Sequence, residues 1–265
     1  MTESNSKAKK RAVLNGSQVI DSRSLARSHK RLAKLLEPGM TVLDVGCGTG
    51  AITTGISEAV GTSGKVVGID NNPTLIKKAR DRYPNISFEM ADIYSLPFEN
   101  QFDIVTTSRV LQWLDKPQQA LNNLVKSVKP GGKVVVLDYN HEKLIWHPEV
   151  PDSMKYFYDA FLKWRRDAGM NNAIADHLMD MFEKNGLNQI HVTPQHEEVI
   201  HGQENFETAV SIWAIVAETK GEQMLQDKLI EKDMLDKAIK DYKEWIRKEA
   251  QSQTMYLLAV EGTKK

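Results

Sequence analysis

A short apolar strand that runs directly into a glycine-rich turn constrains this chain more than any other feature. Residues 42–50 read Val-Leu-Asp-Val-Gly-Cys-Gly-Thr-Gly, and apolar residues at helical spacing follow from Ala51 to Val60. Met40 to Val45 is apolar enough for a strand that is buried on both faces of a parallel sheet. Glycines at alternate positions supply positive φ and remove Cβ atoms, so a ligand can lie against the backbone at the helix N-terminus. The stretch predicts a cofactor pocket.

The turn and its neighbouring carboxylate indicate the kind of ligand. Asp44 places a carboxylate at the end of the strand, where the ammonium group of a ligand can bind. A nucleotide with a positively charged amino-acid tail fits the turn and the carboxylate together. Gly46, Gly48 and Ala51 also satisfy the looser Gly-x-Gly-x-x-Gly/Ala pattern of dinucleotide sites, so a nicotinamide dinucleotide remains an alternative.

Two more strand ends carry acidic residues. Lys65 to Ile69 is a second apolar strand that ends in Asp70, whose carboxylate can take both hydroxyls of a ribose. Residues 86–90 form a third strand that ends in Ala91-Asp92-Ile93, a segment that can read the edge of an adenine. A dinucleotide enzyme would share the acidic residue after the second strand, so Asp70 alone does not separate the alternatives.

The order of these motifs carries a resemblance that no single motif carries. Lys129-Pro130-Gly131-Gly132 forms a turn before a strand over Lys133 to Asp138. The succession of glycine turn, acidic strand end, Ala-Asp and Lys-Pro-Gly-Gly over roughly residues 38–139 resembles the class I S-adenosylmethionine-dependent methyltransferases. Within that class the chain looks like the small-molecule enzymes of the ubiquinone/menaquinone-methyltransferase-like and trans-aconitate-methyltransferase-like group.

The resemblance implies an α/β fold and a cofactor. The fold is a Rossmann-like, doubly wound sheet of seven strands, the last antiparallel, with helical cap insertions; the cofactor is S-adenosylmethionine, with S-adenosylhomocysteine as product. Carried over to this sequence, the residues implied at the cofactor are Arg27, Asp44, Gly46, Cys47, Gly48, Gly50, Asp70, Asn71, Asp92, Ile93, Ser108 and Arg109. Cys47 is expected to pack under the turn and not to act as a nucleophile. For Arg27, a surface position is the alternative.

Methyl transfer by in-line displacement requires alignment and exclusion of water, and no metal is expected. A hydroxyl or amine acceptor would also benefit from a general base. His141 is the first candidate, with His147 and then His29 behind it, and a solvated or packed histidine is the alternative for each. In the family that the chain resembles, the segment after the fourth strand borders both the methionine and the acceptor, so Ser108, Arg109 and Trp113 are also candidates for the acceptor side. The alternative is a structural helix start with a core tryptophan, which fits Trp113 equally well.

Three parts are expected along the chain. They are a disordered basic arm at 1–17; a cofactor-binding core at 18–139, 187–200 and 251–265; and a helical cap or substrate region at 140–186 and 201–250. A helix capped by Asp21 or Ser22 is predicted to run to Pro38-Gly39. Residues 138–170 hold many aromatic and histidine side chains, which favours a lid over an acceptor pocket, although the stripe of Phe157, Phe161 and Trp164 is typical of a core.

Charge and composition bear on partners and compartment. Residues 1–34 hold nine basic and two acidic residues, a net charge of +7 in a chain of 35 basic and 35 acidic residues. A basic arm can bind nucleic acid, but no aromatic side chain lies among these charges, so a solvated face is favoured and no nucleic-acid partner is expected. The absence of a long apolar run and the single cysteine, Cys47, favour a cytoplasmic protein with no membrane partner. A monomer or homodimer is expected, although no residue pattern indicates which.

The expected function is transfer of a methyl group to a small-molecule acceptor. Three alternatives remain open: an RNA or protein methyltransferase, a nicotinamide-linked oxidoreductase, and a cofactor-binding protein without catalysis. The resemblance transfers the cofactor and not the acceptor, because the sequence of the cap sets the choice of acceptor.

Overall fold

The computed structural model describes residues 3–12 and 18–265, with side chains described for 7–12 and 20–265. Eight strands form one mixed sheet. Seven follow the order β3-β2-β1-β4-β5-β8-β6, and β7 pairs with the N-terminal part of β8, whereas β6 pairs with its C-terminal part. The strands are β1 Thr41–Val45, β2 Lys65–Asp70, β3 Ser87–Met90, β4 Phe102–Ser108, β5 Val128–His147, β6 Asn188–Pro194, β7 Glu197–Ile200 and β8 Ser252–Thr263.

The first five strands are parallel and the last strand, β8, is antiparallel to β5, as predicted. The doubly wound class is therefore confirmed, but the predicted count of seven strands is wrong by one. The extended stretch after Leu187 divides into β6 and β7 near Pro194, which has no N–H to donate to a ladder. The neighbouring Gln195 side chain turns away and accepts a hydrogen bond from the backbone N–H of Arg31.

Twelve helices are described, with two 3₁₀ turns at Ile93–Ser95 and Leu111–Trp113. Crossover helices return the chain between parallel strands, and Asn72 caps one of them by accepting from the N–H groups of Thr74 and Leu75. The helices are α1 Glu3–Ala12, α2 Gln18–Asp21, α3 Leu25–Ser28, α4 Lys30–Ala33, α5 Ala51–Val60, α6 Pro73–Arg82, α7 Pro117–Ser127, α8 Asp152–Arg166, α9 Ile174–Lys184, α10 Phe206–Val210, α11 Ile212–Gln226 and α12 Lys232–Lys248.

The helix predicted to run from Asp21 or Ser22 is not continuous. The chain forms α2, α3 and α4 in its place. Ser24 has extended backbone and its hydroxyl accepts from the N–H of Arg27, so it caps α3. His29 separates α3 from α4, and its ring is completely buried. With the break at this point, Arg23 precedes α3 and lines the cavity described below, whereas Arg27 is exposed.

The N-terminal arm also differs from its prediction. Residues 3–12 form α1, whereas a disordered segment was expected over 1–17; residues 1–2 and 13–17 lie outside the described residues. Arg11 is 5 % exposed and pairs with Asp227 at 2.5 Å between Nη2 and Oδ2, so the solvated-face interpretation is wrong for this arginine. Long-range partners of this kind leave no local pattern in the sequence.

The cap is built on a long ribbon. Strand β5 does not end at Asp138; it continues to His147, paired with β8 from Lys133–Thr263 to His147–Ser252 with one register shift between Asn140 and Ile145. Helices α8, α11 and α12 contact Trp146 on this extension through Tyr158, Trp213 and Tyr242, and α10 packs on β7. Gly221 lies within α11, where a Cβ would come 2.5 Å from a methyl of Leu235, and the helix ends at Gln226.

Candidate functional site

The carboxyl ends of β1, β2, β3 and β4 open into one cavity of about 490 Å³, a volume typical of small-ligand sites. Helix α1 and the segment before α3 cover part of it. Of the residues singled out in the sequence, those lining the cavity are Gly46, Gly48, Asp70, Asn71, Asp92, Ile93, Ser108, Arg109 and Trp113. Asp44 and Cys47 line a recess of about 30 Å³ that shares Gly46, Ser108 and Arg23 with the cavity.

The glycine turn is shaped for close approach of a ligand to the backbone. Gly46 has φ of +77° and Gly48 has φ of +57°, and both line the cavity. A Cβ on Gly46 would come 2.3 Å from Cγ2 of Val110, so a side chain has no room there. Gly50 begins α5 with φ of +79° but does not line the cavity among the described residues. Gly50 therefore shapes the turn and lies away from the ligand space.

Cys47 packs under the turn, as expected. Its side chain is 7 % exposed and lies in a small cluster with Ile76, Ala79 and Phe88. Burial, reinforced by the nearby carboxylates of Asp44 and Asp70, raises the pKa of the thiol. The thiol is therefore neutral and poorly suited to nucleophilic attack.

Asp44 presents a buried carboxyl group beside the turn. The residue is 4 % exposed, and one of its oxygens accepts from the Thr53 hydroxyl at 2.6 Å. Burial raises its pKa to about 6, against the opposing effect of the Thr53 hydrogen bond, and the charge of Asp70 adds to the rise. A cationic ligand group in the recess would favour the ionised form of Asp44.

Asp70 is held rigidly at the end of β2. Its two carboxylate oxygens accept from the backbone N–H groups of Gly48 at 3.0 Å and Asn72 at 2.9 Å. Burial raises its pKa, while these backbone hydrogen bonds oppose the rise. The carboxylate is thereby fixed in orientation, with remaining lone pairs available to hydroxyl donors in the cavity.

Asp92 stands at the end of β3, on the far side of Asp70 from the glycine turn. One oxygen accepts from the backbone N–H of Tyr94 at 3.0 Å and so caps the 3₁₀ turn. The other oxygen pairs with Nζ of Lys9, in α1, at 3.1 Å. Ile93 is 8 % exposed and supplies an apolar surface beside the carboxylate.

Arg109 occupies a restricted position at the end of β4. Its φ is +61°, which is uncommon for any residue with a side chain, and it is 4 % exposed. Its guanidinium donates to the hydroxyls of Tyr139 at 2.9 Å and Ser108 at 2.7 Å, and it forms an ion pair with Glu197. The network fixes Ser108 and Arg109 at the cavity wall.

Arg23 lines both the cavity and the recess, and sequence reasoning missed it. Its guanidinium donates no hydrogen bond to another described residue. Burial, and then the nearby charge of Arg109, lower the pKa of Arg23. An anionic ligand group would relieve both effects. Arg27, the arginine singled out in the sequence, is exposed and does not line the cavity. Ser24 was the available signal, because a cap there places Arg23 before the helix.

The candidate histidine bases do not reach the cavity. His141 lies within β5 and is 5 % exposed; Nε2 contacts the Gln112 side-chain oxygen at 2.5 Å, and burial followed by the charge of Arg165 lowers its pKa well below the usual value. His147 is exposed at the end of β5, opposite Ser252. Burial lowers the pKa of His29 to about 3. None of the three lines the cavity in the described part of the chain, which argues against a histidine base.

Trp113 does line the cavity, and two cations from the cap lie over its ring. The Arg165 guanidinium is 4.7 Å and the Lys220 ammonium 5.6 Å from the ring centre. Arg165 is fully buried and also donates to the backbone carbonyl of Gln112 at 2.8 Å. These contacts fix Trp113 as part of the cavity wall.

The expectation that the aromatic side chains of residues 138–170 form a lid over an acceptor pocket is wrong. The aromatic side chains after β5 pack on one another and on α11 and α12, as in the contact between Tyr158 and Trp213 at 4.7 Å between ring centres. Phe157, Phe161 and Trp164 are at most 1 % exposed. None of these rings appears among the described residues that line the cavity, so they form the core of the cap.

Comparison with known proteins places the chain in a family. A family model described as "Methyltransferase domain" matches residues 36–191, more than half of the chain. Demethylmenaquinone methyltransferase of Bacillus cereus is 30 % identical over 176 residues, 60 % of this chain and 74 % of the relative. Putative methyltransferase 235L of Invertebrate iridescent virus 6 is 35 % identical over 122 residues, 44 % of this chain; the match spans 46 % of that relative, less than half its length.

A solved structure shares the fold. Phosphoethanolamine N-methyltransferase 2 of Haemonchus contortus, in complex with S-adenosyl-L-methionine, aligns with a TM-score of 0.54 and 18 % identity over 86 % of this chain and 49 % of its own. Within the described residues no helix is both long and apolar enough to cross a membrane. The chain belongs to the methyltransferase domain family, and with it to the class I S-adenosylmethionine-dependent methyltransferases.

Proposed function

We propose that this protein transfers a methyl group from S-adenosylmethionine to a small-molecule acceptor. One observation carries the proposal: from the recess into the cavity, the charged groups follow the order of strands β1, β2 and β3, which is the order that a nucleoside with an amino-acid tail requires. Asp44 and Arg23 stand at one end beside the glycine turn, Asp70 in the middle, and Asp92 at the other end. An order of this kind distinguishes the site from a glycine turn alone.

The residues fit the cofactor group by group. Asp44 would take the ammonium and Arg23 the carboxylate of the tail, since a guanidinium suits a carboxylate. Asp70 would take the ribose hydroxyls, and Asp92 the amine of the adenine beside Ile93. When bound, the cofactor supplies a methyl group on a positively charged sulfur. The protein's part is to hold an acceptor in line with that methyl group and to exclude water from the cavity.

The acceptor side of the cavity is formed by Trp113, Ser108 and Arg109. We propose that these side chains orient the acceptor and that His141 and His147 do not remove its proton, because the first is buried away from the cavity and the second is exposed at the far end of β5. The acceptor would then be a group that reacts without a histidine base. The name of the Bacillus cereus relative, which refers to a small molecule, supports this class over RNA or protein.

The proposal extends to organisation. The core at 18–139, 187–200 and 251–265 would bind the cofactor, and the cap at 140–186 and 201–250 would hold Trp113 in place. Arg11 forms an ion pair with Asp227, so one basic side chain fewer in the N-terminal arm is available to bind nucleic acid. A cytoplasmic location agrees with the single buried cysteine, and we propose a monomer or homodimer.

Isothermal titration with S-adenosylmethionine, S-adenosylhomocysteine and NADH, each under the same conditions, tests the proposal. Binding of the first two and not of NADH is the expected result, and a screen of small-molecule acceptors with labelled methyl donor would follow. Binding of NADH alone would replace the methyltransferase proposal with an oxidoreductase. Binding of the donor without transfer to any acceptor, including RNA and protein, would favour a cofactor-binding protein.

A further inference from the structure

Helix α1 crosses the cavity and is fixed to the cap at its C-terminal end. Ala8, Lys9 and Ala12 line the cavity. Arg11 points to the other side, where its guanidinium pairs with Asp227 at 2.5 Å and lies 4.7 Å over the ring of Trp164. It also donates to the backbone carbonyl of Trp164. These contacts anchor the end of α1 to α8 and to the residue that follows α11.

A second anchor holds the backbone of α1. The buried ammonium of Lys220 donates to the carbonyl of Arg11 at 2.8 Å, which satisfies a carbonyl at the helix C-terminus. Ala8 is 2 % exposed and packs with Ala168 and Met170, with Trp113 against the same cluster. The helix is therefore attached to the cap along one side and faces the cavity along the other.

On the cavity side, one ion pair joins α1 to the end of β3. Nζ of Lys9 lies 3.1 Å from Oδ2 of Asp92, and the two side chains are 47 % and 32 % exposed. The other oxygen of Asp92 already accepts from the N–H of Tyr94. Oδ2 is therefore the oxygen that no backbone N–H uses, and an amine donor on a ligand base that approaches it competes with Lys9.

We propose that α1 is a strap over the donor site and that the Lys9–Asp92 ion pair is its latch, which the base of the donor must displace in order to bind. The inference rests on the proposed function, because it assigns Asp92 to the base. Donor binding then breaks the contact of the strap with β3 while Arg11 and Lys220 keep it on the cap. Lys9 therefore competes with the donor.

The test compares two substitutions of equal charge change on α1. Lys9→Met removes the latch, whereas Lys10→Met removes an exposed ammonium one residue along. Affinity for S-adenosylhomocysteine is measured by calorimetry, and its association rate by stopped-flow tryptophan fluorescence. An exposed ion pair contributes little, so we expect Lys9→Met to bind about two- to fivefold more tightly and to associate faster. Lys10→Met should match the parent protein.

Each outcome separates the latch from the proposed function. If the parent protein does not bind S-adenosylhomocysteine, the proposed function fails. If the parent protein binds it and Lys9→Met binds equally or more weakly, the latch is wrong, and a weaker binding would mean that Lys9 supports Asp92 in the complex. An equal gain in both variants would indicate a general effect of charge, and would likewise overturn the latch.

Discussion

Two parts of this protein use their polar and apolar residues in opposite ways. They are the donor half, which is the core at 18–139, 187–200 and 251–265, and the cap half, at 140–186 and 201–250. In the donor half, carboxylates and glycines stand at strand ends and face a cavity. In the cap, rings such as Trp213 and Trp245 are at most 2 % exposed and fill the interior. A high density of aromatic residues therefore marks the core of the cap, and the sparse polar residues at strand ends mark the site.

The physical cause of the difference is the geometry of each half. Parallel strands bring their carboxyl ends to one edge, so single residues far apart in sequence meet there. The cap helices have no such shared edge, and each must bury an apolar stripe to be stable. Residue position relative to the sheet was thus the better guide to function, and residue type was the better guide to packing.

The largest effect expected is on the stability of the cap. Phe161→Ala removes a ring that contacts Tyr158, Trp164 and Trp213, and should reduce the free energy of unfolding by about 3–5 kcal/mol. Urea denaturation followed by circular dichroism measures the loss. Tyr156→Ala, on the exposed face of the same helix, is the control and should cost far less. Loss of donor affinity in the folded Phe161 variant would show that the two halves are not separable.

Asp70→Ala should have the opposite profile, with the main loss in affinity and a smaller loss of stability, because the N–H groups of Gly48 and Asn72 lose their acceptor. A hydrogen bond to a charged group contributes about 1.5–3 kcal/mol, so affinity for S-adenosylhomocysteine should fall by about tenfold or more. Calorimetry measures the change. Glu89→Ala, an exposed carboxylate on the neighbouring β3, serves as the control. An unchanged affinity in Asp70→Ala would remove Asp70 from the ribose site.

Two arginines four residues apart allow a cavity position to be compared with a surface position. Arg23→Met should weaken S-adenosylhomocysteine binding by about tenfold, because it removes the cation proposed for the carboxylate of the tail. Arg27→Met makes the same chemical change on an exposed residue and should leave affinity unchanged. The reverse result would restore Arg27 to the site, as the sequence first indicated.

The smallest effect expected is a dependence of donor affinity on pH. The pKa of Asp44 is about 6, so its carboxyl group is ionised above that pH and neutral below it. Since an ammonium binds the ionised form, affinity should fall as pH decreases, to roughly one-fifth at about pH 5.4 relative to about pH 7.4. His29 has its pKa near 3 and contributes nothing in this range. Asp44→Asn should flatten the profile; an unchanged slope would assign it to another group, such as Asp70.

The sequence was informative where local pattern and topology coincide. The apolar runs of β1 and β2 could be read directly, because strands of a parallel sheet are buried on both faces. The acidic residues at the end of β2 and after β3 stood out against these runs. The roles of Lys9 and Arg11 could not be read, since Lys9 pairs with Asp92 and Arg11 with Asp227, far along the chain. The helix before β1 was predicted as continuous because its apolar residues recur at helical spacing, and the capping residue Ser24, which begins a separate helix, was not recognised.

The ribbon formed by β5 and β8 sets the mechanical character of the molecule. The same two strands pair in the sheet at Lys133–Thr263 and under the cap at His147–Ser252. Because the sheet and the cap share these two strands, moving the cap away from the sheet would bend this ladder, whose pairing is irregular between Asn140 and Ile145. On the strap proposal, access to the cavity is governed at its rim by α1, whose contact with the sheet side includes a partly exposed ion pair.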